Sequence, residues 1–214
     1  MDKLNFYTVD LEYVDILKTA ELNKRGFTRV PDMDYGKDFK QKFLCGIVLK
    51  VNNVDYYVPV SSFKQQKDDN FLIRNNFGQP ICSLRFNYMF PVPKSILTER
   101  RIDIEQDNAY RTLLAKELLY CRKNQDTIIH LAERTYNRVI LGKNPGLVVN
   151  SCDFKLLEEV CKNYILEKSN SLQQTNTISD EKPSILEKLN KAKQEIANSS
   201  NMTKSKETHE HNER

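Results

Sequence analysis

Two prolines divide this chain into halves that repeat differently. Before Pro91, apolar residues alternate with others at a period of two: Val54, Tyr56, Val58 and Val60 against Asp55, Tyr57 and Pro59, then Cys82, Leu84, Phe86 and Tyr88 against Ser83, Arg85 and Asn87. After Pro93 they return every three or four residues, as Tyr110, Leu114, Leu118 and Cys121, as Ile128, Ala132, Tyr136 and Val139, and as Phe154, Leu157, Cys161 and Tyr164. A strand sends successive side chains to opposite faces, whereas a helix gathers every third or fourth onto one stripe. The order of strands first and helices second predicts an α+β domain, with helices packed against a small, mainly antiparallel sheet.

Local signals set the boundaries. Leu4 to Val9 reads as a first strand, and Asp10 caps a short helix with Leu11, Val14 and Leu17 on one stripe and Tyr13 on a neighbouring face. Breakers at Gly26, Pro31 and Gly36 make residues 23–41 a long exposed loop, a length that tends to be functional or mobile. Phe43 to Val51 reads as a strand buried on both faces, and Asn52-Asn53 as a tight hairpin turn. The returning strand delivers Ser61 and Ser62 to the end of the sheet. Phe71 to Arg74 is a further short strand, followed by a turn over 75–80. Gly142 and Pro145 end the second long helix, and Ser151 or Asp153 opens the third. The folded domain is expected over 1–168. Residues 169–177 are rich in amides and hydroxyls, with too little apolar surface to fold, so 169–214 reads as a flexible polar tail with a transient helix after Pro183.

Composition removes several function classes. The longest apolar run, Phe43 to Leu49, is far too short to span a membrane, and the start Met1-Asp2-Lys3-Leu4-Asn5 lacks a secretory pattern, so a cytosolic protein is expected. The cysteines, Cys45, Cys82, Cys121, Cys152 and Cys161, are odd in number and widely spaced, which suits reduced core thiols better than disulfides or zinc ligands. A net charge of +4, from 33 Lys+Arg against 29 Asp+Glu, permits an anionic partner such as RNA without demanding one.

The densest chemistry lies in Pro59-Val60-Ser61-Ser62-Phe63-Lys64. Reactive groups at a strand exit sit on a rigid support and face solvent. Lys42, entering the preceding strand, joins Lys64 as a second cation able to stabilise charge on a phosphate. By spacing alone, ordinary surface serines and lysines are the stronger reading. Among the 3 histidines, only His130 falls in the folded part. It shares a helix face with Arg134 and Arg138, either as an exposed polar face or as a phosphate-contacting edge. No His, Asp and Glu cluster with metal-ligand spacing lies near the Ser61–Lys64 segment, so it reads as metal-free, and no cofactor is expected. Arg111 with Arg122, and Lys116 with Lys123, occupy two helix faces. Solvation aided by Glu105 and Glu117 competes there with RNA contact. Arg74, Arg85, Arg100 and Arg101 add positive charge, while Tyr7, Tyr35, Tyr57 and Tyr88 suit either base stacking or packing.

Taken in order, several segments resemble one family. They are Phe6-Tyr7-Thr8 followed by Tyr13 and Leu17-Lys18, Gly46-Ile47-Val48-Leu49 within the run Phe43 to Leu49, and Pro59 to Lys64. Ala109-Tyr110-Arg111 through Arg122-Lys123-Asn124 to Ile128, and Asp153-Phe154-Lys155-Leu156-Leu157-Glu158-Glu159, complete the set. The sequence is similar in these to the ToxN/AbiQ endoribonuclease toxins of type III toxin-antitoxin and abortive-infection systems, over roughly residues 4 to 165. The resemblance implies a metal-independent, sequence-selective endoribonuclease without a cofactor, leaving a 2',3'-cyclic phosphate. It also implies inhibition by a repeated small pseudoknot RNA in a cyclic protein-RNA assembly, and cellular or phage mRNA as substrate. The implied fold is a partly barrel-like sheet with flanking helices, similar to MazF/Kid toxins.

Carried over position by position, Tyr13, Lys42, Ser61, Ser62 and Lys64 fall in the active site. Lys64 and Lys42 contact the scissile phosphate, and Ser62 orients it or the 2'-OH. Tyr35, Arg74, Arg85, Arg111, Lys116, Arg122 and Lys123 are the expected RNA contacts. Phe63 stands where the family pattern often has proline, and the tail after Lys168 has no counterpart. Two other readings compete: a non-catalytic RNA-binding module using the same basic face, with salt-dependent binding and no cleavage, and a MazF-like nuclease held by a protein antitoxin.

Overall fold

The computed structural model describes residues 3–34 and 42–180, with side chains to residue 171. Its contacts divide the chain into two units, Met1–Ile165 and Leu166–Arg214. The strands are β1 (Asn5–Val9), β2 (Leu44–Val51), β3 (Val54–Ser61), β4 (Asn70–Arg74), β5 (Pro80–Arg85), β6 (Phe90–Pro91) and β7 (Leu97–Glu99). The helices are α1 (Leu11–Arg25), α2 (Asn108–Lys123), α3 (Gln125–Ile140), α4 (Pro145–Val149) and α5 (Phe154–Asp180). The change of period at Pro91 and Pro93 is therefore a change of secondary structure, and the α+β expectation holds. The described sheet runs β4-β5-β3-β2-β1-β7, with β6 added to β3, and its pairings are antiparallel. It is not closed into a barrel, since β4 and β7 stand at its two ends.

The turns follow from their residues. Asn52 and Asn53 both take left-handed backbone angles, φ 50° and 64°, the pair a two-residue hairpin of this hand needs and one asparagine tolerates. Asp10 accepts a hydrogen bond from the Glu12 N–H at 2.9 Å and so caps α1. Gly26, with φ 74°, ends that helix and returns its N–H to Leu22 O. The helix is thus longer than its apolar stripe suggested, reaching past Asn23 to the first residue that readily turns left-handed.

Apolar faces meet as the periodicities require. Leu44, Val48, Tyr56, Val58 and Leu84 are buried on the sheet side, and Leu114, Leu118, Cys121, Ile128, Ala132 and Leu157 on the helical side. The ring of Phe154 stacks on Tyr136 at 5.5 Å and meets Tyr56 edge-on at 5.7 Å, joining α5 and α3 to the sheet. Gly46 is required by packing, because a Cβ there would overlap the Tyr57 ring of the facing strand. The cysteines are all buried and unbridged, as expected. Among the described residues no helix is long and apolar enough to cross a membrane.

Two buried carboxylates tie these elements together. Glu21 accepts hydrogen bonds from Arg25 (3.2 Å), Thr28 Oγ1 (2.8 Å), the Arg29 N–H (2.6 Å) and the Asp153 N–H. It thereby joins α1, the segment after it and the start of α5. Glu158 accepts from Asn52 Nδ2 (2.7 Å), Tyr56 OH (3.0 Å) and Tyr136 OH (2.7 Å), joining α5 to the hairpin and to α3.

One expectation needs correction. The alternation through Tyr88 predicted one strand, yet β5 stops at Arg85 and Phe86–Tyr88 is a 3-10 turn. The Phe86 N–H still donates to Asp69 O in the β4–β5 register, but the Met89 N–H returns to Phe86 O and Asn87 O accepts the Cys152 N–H, so the chain turns out of the ladder there. The last helix runs as backbone helix to Asp180. No glycine or proline interrupts it, and Ser169 and Ser171 return their hydroxyls to Leu166 O and Glu167 O. The helix expected after Pro183 lies outside the described residues.

Candidate active site

The end of β3 is held from both sides. The Val60 N–H donates to Phe43 O at 3.1 Å, and Val60 and Ser61 pair with Leu84 and Ser83 of β5. β2 and β3 pair Leu44 with Pro59 and Cys45 with Val58. The Val60 N–H bond carries this register to Phe43, the residue after Lys42.

Beyond Ser61 the chain leaves the sheet but keeps a fixed path. Ser61 Oγ accepts the Phe63 N–H at 3.2 Å, and the buried Ser83 donates its hydroxyl to Phe63 O at 2.7 Å. The Phe63 ring packs on the Arg85 guanidinium at 4.9 Å, and Arg85 in turn lies on Tyr88 at 4.2 Å. Phe63 is therefore clamped at its N–H, its carbonyl and its ring, while its neighbours Ser62 and Lys64 are exposed. A proline here would fix φ by its ring but has no N–H to give Ser61. This chain obtains the same rigidity from hydrogen bonds and a cation-aromatic stack.

Lys42 is placed by the segment 28–34. Its ammonium donates to Asp32 O at 3.0 Å, and its backbone N–H to Met33 O at 2.9 Å. The Asp32 carboxylate takes a 2.6 Å ion pair from Lys18. That bond and charge, with Lys42 nearby, outweigh burial and hold the Asp32 carboxyl below the usual range. Lys18 and Asp32 thus support Lys42. Sequence reading missed the pairing, because the two partners lie in different elements.

The remaining expected residues divide. Tyr13 is buried, donates its hydroxyl to Pro91 O at 2.9 Å and meets the Tyr164 ring edge-on at 5.0 Å. Burial, with Cys161 and Tyr164 beside it, pushes its phenol far above the ordinary value. The contacts of Tyr13 are those of a core residue, separate from the Ser61–Lys64 loop. Tyr35 lies outside the described residues. Arg122 donates to Leu4 O at 2.8 Å and Arg111 to Asn108 Oδ1 at 2.6 Å. Arg134 donates to Asp68 O at 2.6 Å, which ties α3 to the loop after Lys64. Arg74, Lys116 and Lys123 line one cavity between β4 and α2.

Glu117 corrects the picture of α2 as solvated by its acids. It is buried, lies 3.4 Å from the Cys82 thiol, and burial raises its carboxyl. Burial likewise pushes the Cys82 thiol up, with Glu117 adding to the effect and the Lys64 charge opposing it. Among the described residues, no three His, Cys, Asp or Glu side chains are placed to hold a metal ion. What the arrangement offers is hydroxyl and ammonium groups on a fixed backbone. Such groups bind and polarise a phosphate.

Comparison with known proteins gives a concordant result. The family described as toxin ToxN, type III toxin-antitoxin system, matches residues 5–162. Endoribonuclease ToxN of Bacillus thuringiensis subsp. kurstaki is 31% identical over 179 residues, covering 76% of this chain and 85% of that protein. Endoribonuclease AbiQ of Lactococcus lactis subsp. lactis is 28% identical over 168 residues, covering 72% and 86%. A solved type III toxin, studied for its selective inhibition by a non-coding RNA pseudoknot, superposes with a TM-score of 0.67 at 27% identity over 76% of this chain and 98% of its own. The solved structure of AbiQ, a lactococcal anti-phage endoribonuclease, shares the fold with a TM-score of 0.62 at 24% identity.

Proposed function

This chain belongs to the ToxN toxin family of type III toxin-antitoxin systems, and from that premise we propose that it is a metal-independent, sequence-selective endoribonuclease acting in the cytosol. The observation that carries the site is the clamped Phe63, which leaves Ser62 and Lys64 exposed on a fixed backbone, with Lys42 next to the Phe43 that holds Val60. In this reading a 2'-OH attacks the adjacent phosphorus, the bond to the 5'-oxygen breaks, and the products are a 2',3'-cyclic phosphate and a 5'-OH. Lys64 and Lys42 stabilise charge on the non-bridging oxygens. Ser62 orients the phosphate or the attacking hydroxyl. Ser61 sets the turn through the Phe63 N–H. Tyr13 acts at a distance, fixing the Pro91 segment that borders β3.

The inhibitor we infer is a small repeated pseudoknot RNA in a cyclic assembly, and the relative inhibited by a non-coding RNA pseudoknot supports the class of inhibitor. The substrate is cellular or phage mRNA, and the role is abortive infection. Residues 1–168 carry the nuclease, and 169–214 are a separate extension of it. The test is incubation of the purified full chain and its Ser62→Ala variant with mixed-sequence RNA in EDTA, with the product ends analysed. Discrete cleavage leaving cyclic phosphate, absent from the variant, is expected. Intact RNA with both folded proteins would replace the nuclease with a non-catalytic RNA-binding module.

A further inference from the structure

Open cavities line up behind the loop that carries Ser62 and Lys64. The first, about 300 Å³, is walled by Gln66, Lys67 and Asp68 together with Phe71, Arg74, Tyr120 and Arg134, and so begins two residues beyond Lys64. Arg74 and Tyr120 also wall the second, about 480 Å³, which lies between the β4–β5 turn and α2 and adds Phe77, Lys116 and Lys123. The residues lining this second cavity include three cations and no carboxylate.

Phe77 is the unusual member, because its ring is 88% exposed on a turn that is anything but loose. Asn75 Oδ1 accepts the N–H groups of Phe77 (3.0 Å) and Gln79 (2.9 Å). The Gly78 N–H returns to Asn75 O at 2.9 Å, and Arg74 braces Gly78 O at 2.8 Å. Gly78 takes the left-handed φ of 76° that this turn requires. An apolar ring held in water by a rigid backbone is already ordered for whatever covers it, so binding costs little further entropy. Its neighbours restrict that occupant. A single RNA strand presents base faces to a ring and phosphates to lysines and arginines. The first cavity begins at Gln66, two residues along the chain from Lys64, and shares Arg74 and Tyr120 with the second, so a strand leaving the cleavage site has a path to Lys116.

We infer that this run of cavities is a subsite for the unpaired part of the RNA strand being cut, with Phe77 stacking on a base and Arg74, Lys116 and Lys123 holding its phosphates. The inference rests on the chain being a ribonuclease.

The test measures binding of mixed-sequence single-stranded RNA to the full chain carrying Ser62→Ala, which keeps the RNA intact. Adding Phe77→Ala weakens the dissociation constant about tenfold, the effect of losing one stacked base. Phe77→Trp restores it and Phe77→Leu does not, because stacking needs a π face. Lys116→Ala lowers the slope of log affinity against log salt by about 0.7. The subsite is overturned if Phe77→Leu binds as Phe77 does, or if the loss is confined to a folded pseudoknot RNA. It is also overturned if Phe77→Ala instead separates a dimer of this chain with RNA affinity unchanged. A Ser62→Ala protein that binds no RNA overturns the ribonuclease reading itself, a distinguishable failure.

Discussion

Glu21 and the Ser61–Lys64 loop both gather polar groups, yet they put them to opposite uses. At Glu21 the carboxylate is buried and every donor around it comes from a different piece of backbone or a nearby side chain, so its bonding capacity is spent on holding the fold. At the loop the saturated groups are those of Phe63, while Ser62 and Lys64 point to solvent. Polar atoms stabilise where they are buried and satisfied. They do chemistry where the backbone is satisfied and the side chain is not. Substitutions in the two places therefore report on different quantities, and the contrast can be broken from either side.

The largest effect is expected from Glu21→Ala. It leaves the Thr28 hydroxyl and the Arg29 and Asp153 N–H groups without this acceptor and breaks the ion pair to Arg25, which keeps only backbone carbonyls as acceptors. Removal of one partner of a buried ion pair costs about 3–5 kcal/mol. Urea denaturation checks this, and a loss under about 1 kcal/mol would mean water replaces the carboxylate. Lys64→Ala comes next and moves the other quantity. Cleavage falls roughly 10²–10³-fold, as when one oxyanion donor is removed. The urea midpoint hardly moves, because an exposed substitution changes stability by about 0.5 kcal/mol or less. Equal loss of stability and activity would erase the distinction.

Phe63→Pro sharpens it further. The variant restores the residue common in the resembling family but removes the donor to Ser61 Oγ and the ring under Arg85. About 1 kcal/mol of stability is lost with that hydrogen bond, and cleavage drops only a few-fold because proline still restricts the loop. Cleavage lost as completely as in Lys64→Ala would show that the clamp itself, and not merely a stiff loop, sets the site.

The two regions were unequally legible in the sequence. The hairpin that delivers Ser61 and Ser62 follows from local rules: two asparagines that accept positive φ, flanked by alternating apolar residues. The helix stripes at Leu114, Ile128 and Leu157 were visible for the same reason. What escaped is long-range. Glu21 meets Asp153 across most of the chain, Glu117 is buried by a strand it follows by dozens of residues, and the turn after Arg85 gives its Asn87 carbonyl to the distant Cys152 N–H. Lys42 and Lys64 were readable as a pair of cations, but not the Asp32 carbonyl that places one of them or the Ser83 hydroxyl that fixes the loop bearing the other. Tyr13, which the resemblance put in the active site, is buried against Pro91 and Tyr164 by packing that no motif encodes.

The smallest expected effect concerns the second carboxylate, Glu158, and it is read by pH. Burial alone would raise this carboxyl, but the hydrogen bonds from Tyr136, Asn52 and Tyr56, with the Lys155 ammonium 3.4 Å away, outweigh it and hold the group below its usual range. In the unfolded chain it titrates near the ordinary glutamate value of about 4.3. The folded state therefore binds the proton more weakly, and the stabilisation is fully present above about pH 5. It is lost as pH falls through the depressed folded value, at about 1.4 kcal/mol for each unit of depression. Glu158→Gln keeps the shape but removes the titration, so its urea midpoint falls less steeply below pH 5 than that of the parent chain. Parallel pH profiles for the two proteins would mean that the acid sensitivity lies elsewhere, with Asp32 and its Lys18 partner as the next pair to substitute.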